Sequence, residues 1–164
     1  MKIAIGSDEV GFDLKNIIVE FLKNQVEIPV DVIDFGVYDM LPADYPDVAV
    51  KVAEAIAANE CERGILICGT GIGMAITANK VPGVRAAQVS DSYQAERARM
   101  SNNAQVMTMG ALTTGREVAK GLVRTWLKSE FQEGRSTRKV NKINAVDEKY
   151  HSNRETKNSS NACL

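Results

Sequence analysis

Five short strand-like runs alternate with five stretches that read as helices. This alternation restricts the fold more than any other feature of the chain. KIAIGS (2–7), DVIDFG (31–36), ILIC (65–68), RAAQV (85–89) and VMTMG (106–110) read as strands, being too short for helices. Leu14, Ile17, Ile18, Phe21 and Leu22 place a helix from about Phe12 to Asn24. Val48, Ala49, Val52, Ala53 and Ile56 form the next apolar face, behind a loop bracketed by Pro42 and Pro46. Further helices follow over Ile72 to Lys80, Ser92 to Met100 and Arg116 to Ser129. The spacings leave room for crossovers, and no segment repeats. The pattern predicts a five-stranded parallel sheet covered by helices on both faces. Ligands of such sheets bind beyond the carboxyl ends of the strands. Three unusual segments fall there: Ser7–Asp8–Glu9, Cys68–Gly73 and Ser90–Asp91.

A length of 164 residues suits one domain, placed at 1–150. Within it, 130–150 form a C-terminal arm with a helix from about Lys139 to Tyr150 and few apolar residues to fold on itself, so it is expected to pack on a partner subunit. Residues 151–164 are expected to form a polar, disordered tail. A net charge of −1 gives no electrostatic support for nucleic-acid binding. The apolar runs are too short to span a bilayer. The opening MKIAIGSD lacks a signal-peptide layout, and three cysteines without CxxC spacing suit a reducing compartment, so a cytoplasmic location is expected. The one histidine, His151, lies in the tail. A histidine triad, a histidine-rich zinc site or a histidine proton shuttle is therefore not expected within the domain, and acid–base work falls to Cys, Asp, Glu, Ser, Lys or Tyr.

The stretch ILICGTGIGMAITANK puts Cys68 at a strand end, facing a turn with Gly69, Gly71 and Gly73 and then a helix N-terminus. Two readings stand. Free cysteine is often only a small buried apolar residue, whereas a thiol beside a helix N-terminus and a glycine nest is favoured as thiolate. Cys61 reads as structural and Cys163 as an exposed tail thiol. A dinucleotide fingerprint needs G-x-G-x-x-G; here Met74 takes the place of the third glycine, so no nicotinamide or flavin cofactor is expected. Asp8 reads either as a helix cap or as a crevice carboxylate accepting from a polyol, and Glu9 as a first-turn helix charge. Arg135, Arg138 and Lys139 read either as a solvated face or as a means to capture phosphate or carboxylate.

SDEVGFDLK (7–15), DYPDVA (44–49), ILICGTGIGMAITANKVPGVRAA (65–87), SNNAQV (101–106) and GRSTRKV (134–140) together resemble the family of type B ribose-5-phosphate isomerases and galactose-6-phosphate isomerases. The resemblance runs in order over residues 1–150. It implies a Rossmann-like three-layer α/β/α sandwich, a homodimer or dimer of dimers with shared active sites, and metal-free, cofactor-free aldose–ketose isomerisation of a small sugar phosphate through a cis-enediolate. It implies Cys68 as the base, with Thr70 assisting ring opening or proton relay. Backbone amides of Gly69, Gly71, Ile72 and Gly73 would hold the developing oxyanion. Asp8 would bind sugar hydroxyls, Tyr45 would line the pocket and Asn102 would bind substrate. Arg135 and the basic residues after it, Arg138 and Lys139, would reach the phosphate of a partner's site.

The chain departs from the family pattern at several of these positions. Glu9 stands where many relatives have a phosphate-side histidine, and Ser101 where they have a candidate ring-opening histidine. Ser136 replaces a further histidine, Leu112 an arginine after the fifth strand, and Lys139 the last arginine of the arm. The expected substrate is ribose 5-phosphate. The alternatives are a tetrulose 4-phosphate, galactose 6-phosphate or a non-phosphorylated sugar, or a weakened binding subunit, as in enzymes that pair two related chains.

Overall fold

The computed structural model describes residues 1–161. The strands are β1 (Lys2–Ser7), β2 (Asp31–Asp34), β3 (Arg63–Cys68), β4 (Ala86–Gln88) and β5 (Val106–Gly110). The helices are α1 (Phe12–Asn24), α2 (Tyr45–Ala57), α3 (Ile72–Ala78), α4 (Ser92–Met100), α5 (Arg116–Lys128) and α6 (Arg135–Asn161). All pairings are parallel, in the order β2-β1-β3-β5-β4. The order reverses between β1 and β3, and this is where an open α/β sheet parts its crossovers and leaves a crevice.

Side chains alternate across the sheet and separate its two faces. Ile3, Ile5, Ile65, Ile67, Met107 and Met109 face α1, α4 and α5, where Phe21, Leu22, Leu122 and Trp126 complete one core. Ala4, Leu66, Cys68 and Val106 face α2 and α3, packing on Val48, Val52, Ile56 and Met74. This is the three-layer sandwich that the alternation predicts. Cys68 belongs to the α2/α3 layer.

Arg63 fixes where the chain leaves this sandwich. It is buried, and its guanidinium donates to the carbonyls of Trp126, Leu127 and Ser129 and pairs with Glu130. Several last-turn acceptors of α5, which have no partner within the helix, are thereby satisfied. The arm beyond them differs from expectation. The helix starts at Arg135, not Lys139, and runs on to Asn161, through most of the stretch expected to be disordered. The sequence contains no Gly or Pro from 135 to 161, so nothing in the backbone interrupts it once nucleated. The arm also touches its own domain: the amide of Gly83 donates to Asp147 at 2.6 Å, and Arg85 donates to Asn144 at 2.9 Å. Ile143, Val146 and Tyr150 remain exposed along it. The expected exposed thiol, Cys163, lies outside the described residues. Among the described residues, no helix is long and apolar enough to cross a membrane.

Candidate active site

At the end of β3 the chain turns sharply into α3. Gly71 adopts φ 79° and caps the helix. A β-carbon there would lie 2.8 Å from the main chain of Met109, so both the dihedral and the space call for glycine. In this conformation the amide of Gly71 donates to the sulfur of Cys68 at 3.1 Å. The Thr70 hydroxyl accepts from the amide of Ile72 at 3.4 Å. Cys68 is only 5% exposed, yet it sits at the rim, followed by half-buried Gly69 and exposed Thr70. The sulfur is thus held beneath the turn, at the carboxyl end of β3.

Three further elements border this turn. Asp8 follows β1 on the other side of the switch point; its amide donates to the carbonyl of Ile67, which ties the two strand ends together. Its carboxylate accepts from the amide of Gly11 at 2.9 Å. Tyr45, the first residue of α2, lays its ring over Gly73, where a β-carbon would approach the ring to 2.5 Å. Val10 and Leu112, the latter standing where relatives carry an arginine, flank Gly69 and give the turn an apolar border. Only the exposure of both side chains in three dimensions reveals it. Glu9 does more than charge a first helical turn: it accepts from the amide of Ala43 at 3.1 Å, and so fastens the loop that leads to Tyr45.

Burial pushes the Asp8 carboxyl above its ordinary value near 3.8, and the neighbouring Glu9 adds to this, against the opposing Gly11 hydrogen bond. The raised folded value means that the fold prefers the neutral form. The stability this group contributes is complete below its unfolded pKa and is lost as pH rises through the folded one. Asp8→Asn keeps an acceptor for Gly11 while removing the charge. It is therefore expected to raise the melting temperature at pH 7, with the gap closing as the pH falls toward 3.8. A lower melting temperature at pH 7, measured by calorimetry, would contradict this assignment.

The remaining candidates lie elsewhere. Ser101 caps the C-terminus of α4, and Asn102 follows it in the loop that enters β5. Both are at the amino end of the sheet. Arg135 lines a cavity of about 550 Å³ together with Ser101 and Arg97, and Arg138 and Lys139 follow it on exposed positions of α6. A strand rises about 3.3 Å per residue, so β5 alone keeps this group about 15 Å from the Cys68 turn. The structure therefore brings Asp8, Glu9, Tyr45, Cys68, Thr70 and the glycines together. It sets Ser101, Asn102 and the basic arm apart from them, at the opposite end of the same sheet. Arg97, on α4, joins the second group. Its spacing of four from Ser101 was the available signal.

The family model described as Ribose/Galactose Isomerase matches residues 3–143. A Listeria innocua protein named Ribose-5-P isomerase B is 53% identical over 149 residues, covering 91% of this chain and 99% of its own length. A Pectobacterium atrosepticum protein named D-erythrulose-4-phosphate isomerase is 50% identical over 145 residues, covering 87% and 93%. The solved structure of Clostridium thermocellum ribose-5-phosphate isomerase B superposes with a TM-score of 0.88 at 49% identity, covering 92% of this chain and 99% of that one.

Proposed function

The chain belongs to the ribose/galactose isomerase family and is an aldose–ketose isomerase of sugar phosphates, and from that premise we propose how its residues divide the work and which sugar they take. Cys68 is the base. The supporting observation is its sulfur at the switch point, held by the Gly71 amide at 3.1 Å beneath the glycine turn. The thiolate removes the proton from C2 of the open-chain aldose. The electron pair becomes the C1–C2 double bond and negative charge gathers on O1. The proton returns to C1, O2 becomes the carbonyl oxygen, and the proton of O2 passes to O1. The Thr70 hydroxyl lies at the turn to relay that last proton. The amides of Gly71 and Ile72 hold the sulfur and the Thr70 hydroxyl, which leaves those of Gly69 and Gly73 to face the growing charge, and donors fixed before reaction each lower such a barrier by about 10²–10³-fold in rate. Asp8 accepts from sugar hydroxyls, while Tyr45 and Leu112 border the carbon chain.

The phosphate requires a second copy of this chain. The cations of the arm and the Cys68 turn occupy opposite ends of one sheet, so a single copy cannot bring both to one small sugar. In a symmetric dimer each copy lends its Ser101–Asn102–Arg135 end to the other's turn, with Arg138 and Lys139 beside it. The apolar residues Ile72 and Ile76 of α3 and Ile143 and Val146 of α6 are exposed and are available for such an interface.

The sugar is ribose 5-phosphate, in keeping with the activity named for the 53%-identical relative. One observation favours a second reading. Ser101 offers a hydroxyl already occupied by Arg97 at 2.9 Å and no titratable ring nitrogen. A tetrulose 4-phosphate, whose aldose partner cannot close a furanose because its terminal hydroxyl is esterified, needs no ring-opening group; the Pectobacterium relative is named for such a sugar. Comparing kcat/KM for ribose 5-phosphate and D-erythrulose 4-phosphate separates the two. The first reading expects higher values with ribose 5-phosphate. At least a tenfold preference for the four-carbon sugar, about 1.4 kcal/mol in transition-state binding, establishes the second.

A further inference from the structure

Ser101 and Asn102 both hang on one residue. The carbonyl of Arg97 accepts from the Ser101 amide and from the Asn102 side chain, each at 3.0 Å. The Nε of Arg97 donates to the Ser101 hydroxyl at 2.9 Å. With its acceptor role filled by a cation, that hydroxyl keeps its own proton free to donate outward. The Arg97 side chain is 30% exposed, and its ion pair with adjacent Glu96 is long, at 3.5 Å. It opens on the cavity of about 550 Å³ that Arg135 and the Ser136 hydroxyl also line. Glu133 is the single carboxylate on that wall, set against two guanidinium groups. A site of this size, lined by two arginines and two serines, suits a bound phosphate monoester.

We infer that Arg97 is a further substrate-binding and specificity-determining residue. It forms, with Ser101 and Arg135, the seat for the phosphate of the sugar whose carbon chain lies on the Cys68 turn of the second copy. The inference rests on the shared-site reading above. It gives the chain a cation close to where Ser101 stands without a charge of its own. It also explains why α4 carries arginine on a face turned toward the arm and not toward the core.

The test uses the full chain and inorganic phosphate as a competitive inhibitor, alongside KM and kcat for ribose 5-phosphate. Hydrogen bonds to charged groups contribute enough that Arg97→Gln should raise both KM and the phosphate inhibition constant by about tenfold or more. Because the contact is made in ground and transition state alike, kcat should stay within about threefold. A residue that only supported the fold would instead lower kcat and melting temperature together. Arg97→Lys keeps the charge but loses the planar donor to Ser101, and should weaken phosphate inhibition by a smaller factor, about threefold. Arg135→Gln serves as the comparison. Phosphate inhibition unchanged in both Arg97 variants, but weakened in Arg135→Gln, overturns the inference and leaves the shared site standing. Inhibition unchanged in all three removes the phosphate seat itself. Should Arg97→Gln fail to fold, an unaltered inhibition constant in Arg97→Lys overturns the inference alone.

Discussion

Cys68→Ala is expected to lower kcat for sugar-phosphate isomerisation by about 10²–10⁴-fold, the range a positioned general base contributes, while leaving the fold in place. The sulfur is a small group at a rim, and the apolar packing around it is supplied by Leu66, Val106, Val48 and Met74. Losing one buried sulfur removes little of that packing, so the melting temperature should fall only slightly compared with the loss of rate. The decisive readout is exchange of the C1/C2 proton with deuterated solvent, because it reports the proton transfer and not product release. Wild type should exchange and convert; the variant should do neither while still binding the sugar phosphate. If Cys68→Ala exchanges within about threefold of wild type, another group is the base and general base catalysis by this thiol is excluded. Asp8 then becomes the candidate, since it is the buried carboxyl nearest the switch point and the one that burial has shifted toward its neutral form.

Much of the fold was legible because hydrophobic periodicity reports it directly. Strand runs such as ILIC and helical faces such as Leu14, Ile18, Phe21 and Leu22 are local patterns, and in the structure they bury where the pattern says. The turn at Gly69–Gly73 was legible for the same reason: glycine at a φ of 79° is a local demand of the backbone. Two kinds of feature were not. The arm's helix extends beyond its expected ends because helix length in a polar stretch depends on the absence of interruptions, a weaker signal than apolar spacing. The separation of the candidates depends on strand order and register, which no stretch of residues states. Ser101 and Asn102 precede in sequence the residue Gly110 that pairs in register with Cys68, yet the full length of β5 intervenes. Glu9 is a further case. Its role in holding Ala43 links residues 34 positions apart, and a local reading sees only a charge near a helix start.

The largest change expected of any mixture follows from the division of the site between two copies. Arg135→Ala alone should lose most of its kcat/KM toward a phosphorylated sugar, read at substrate below KM, since a charged hydrogen bond to phosphate contributes about 1.5–3 kcal/mol. Cys68→Ala alone should lose nearly all of it. In a shared site the two defects of a hybrid fall together in one site and leave the other intact. A hybrid dimer holds one site with both residues changed and one with neither. Random pairing of equal amounts makes half the dimers hybrid, and each hybrid restores one of its two sites, so the mixture should regain about a quarter of wild-type activity. If each chain instead built its own site, every site in the mixture would still lack one of the two groups.

The measurement is the isomerase rate of Cys68→Ala and Arg135→Ala chains, dissociated, mixed and reassociated, with hybrid formation followed by mass. Recovery to about a quarter of the wild-type rate, growing in step with the hybrid fraction, is the result predicted for a site completed across copies. A rate that stays at the sum of the two variants while hybrids are present would contradict it.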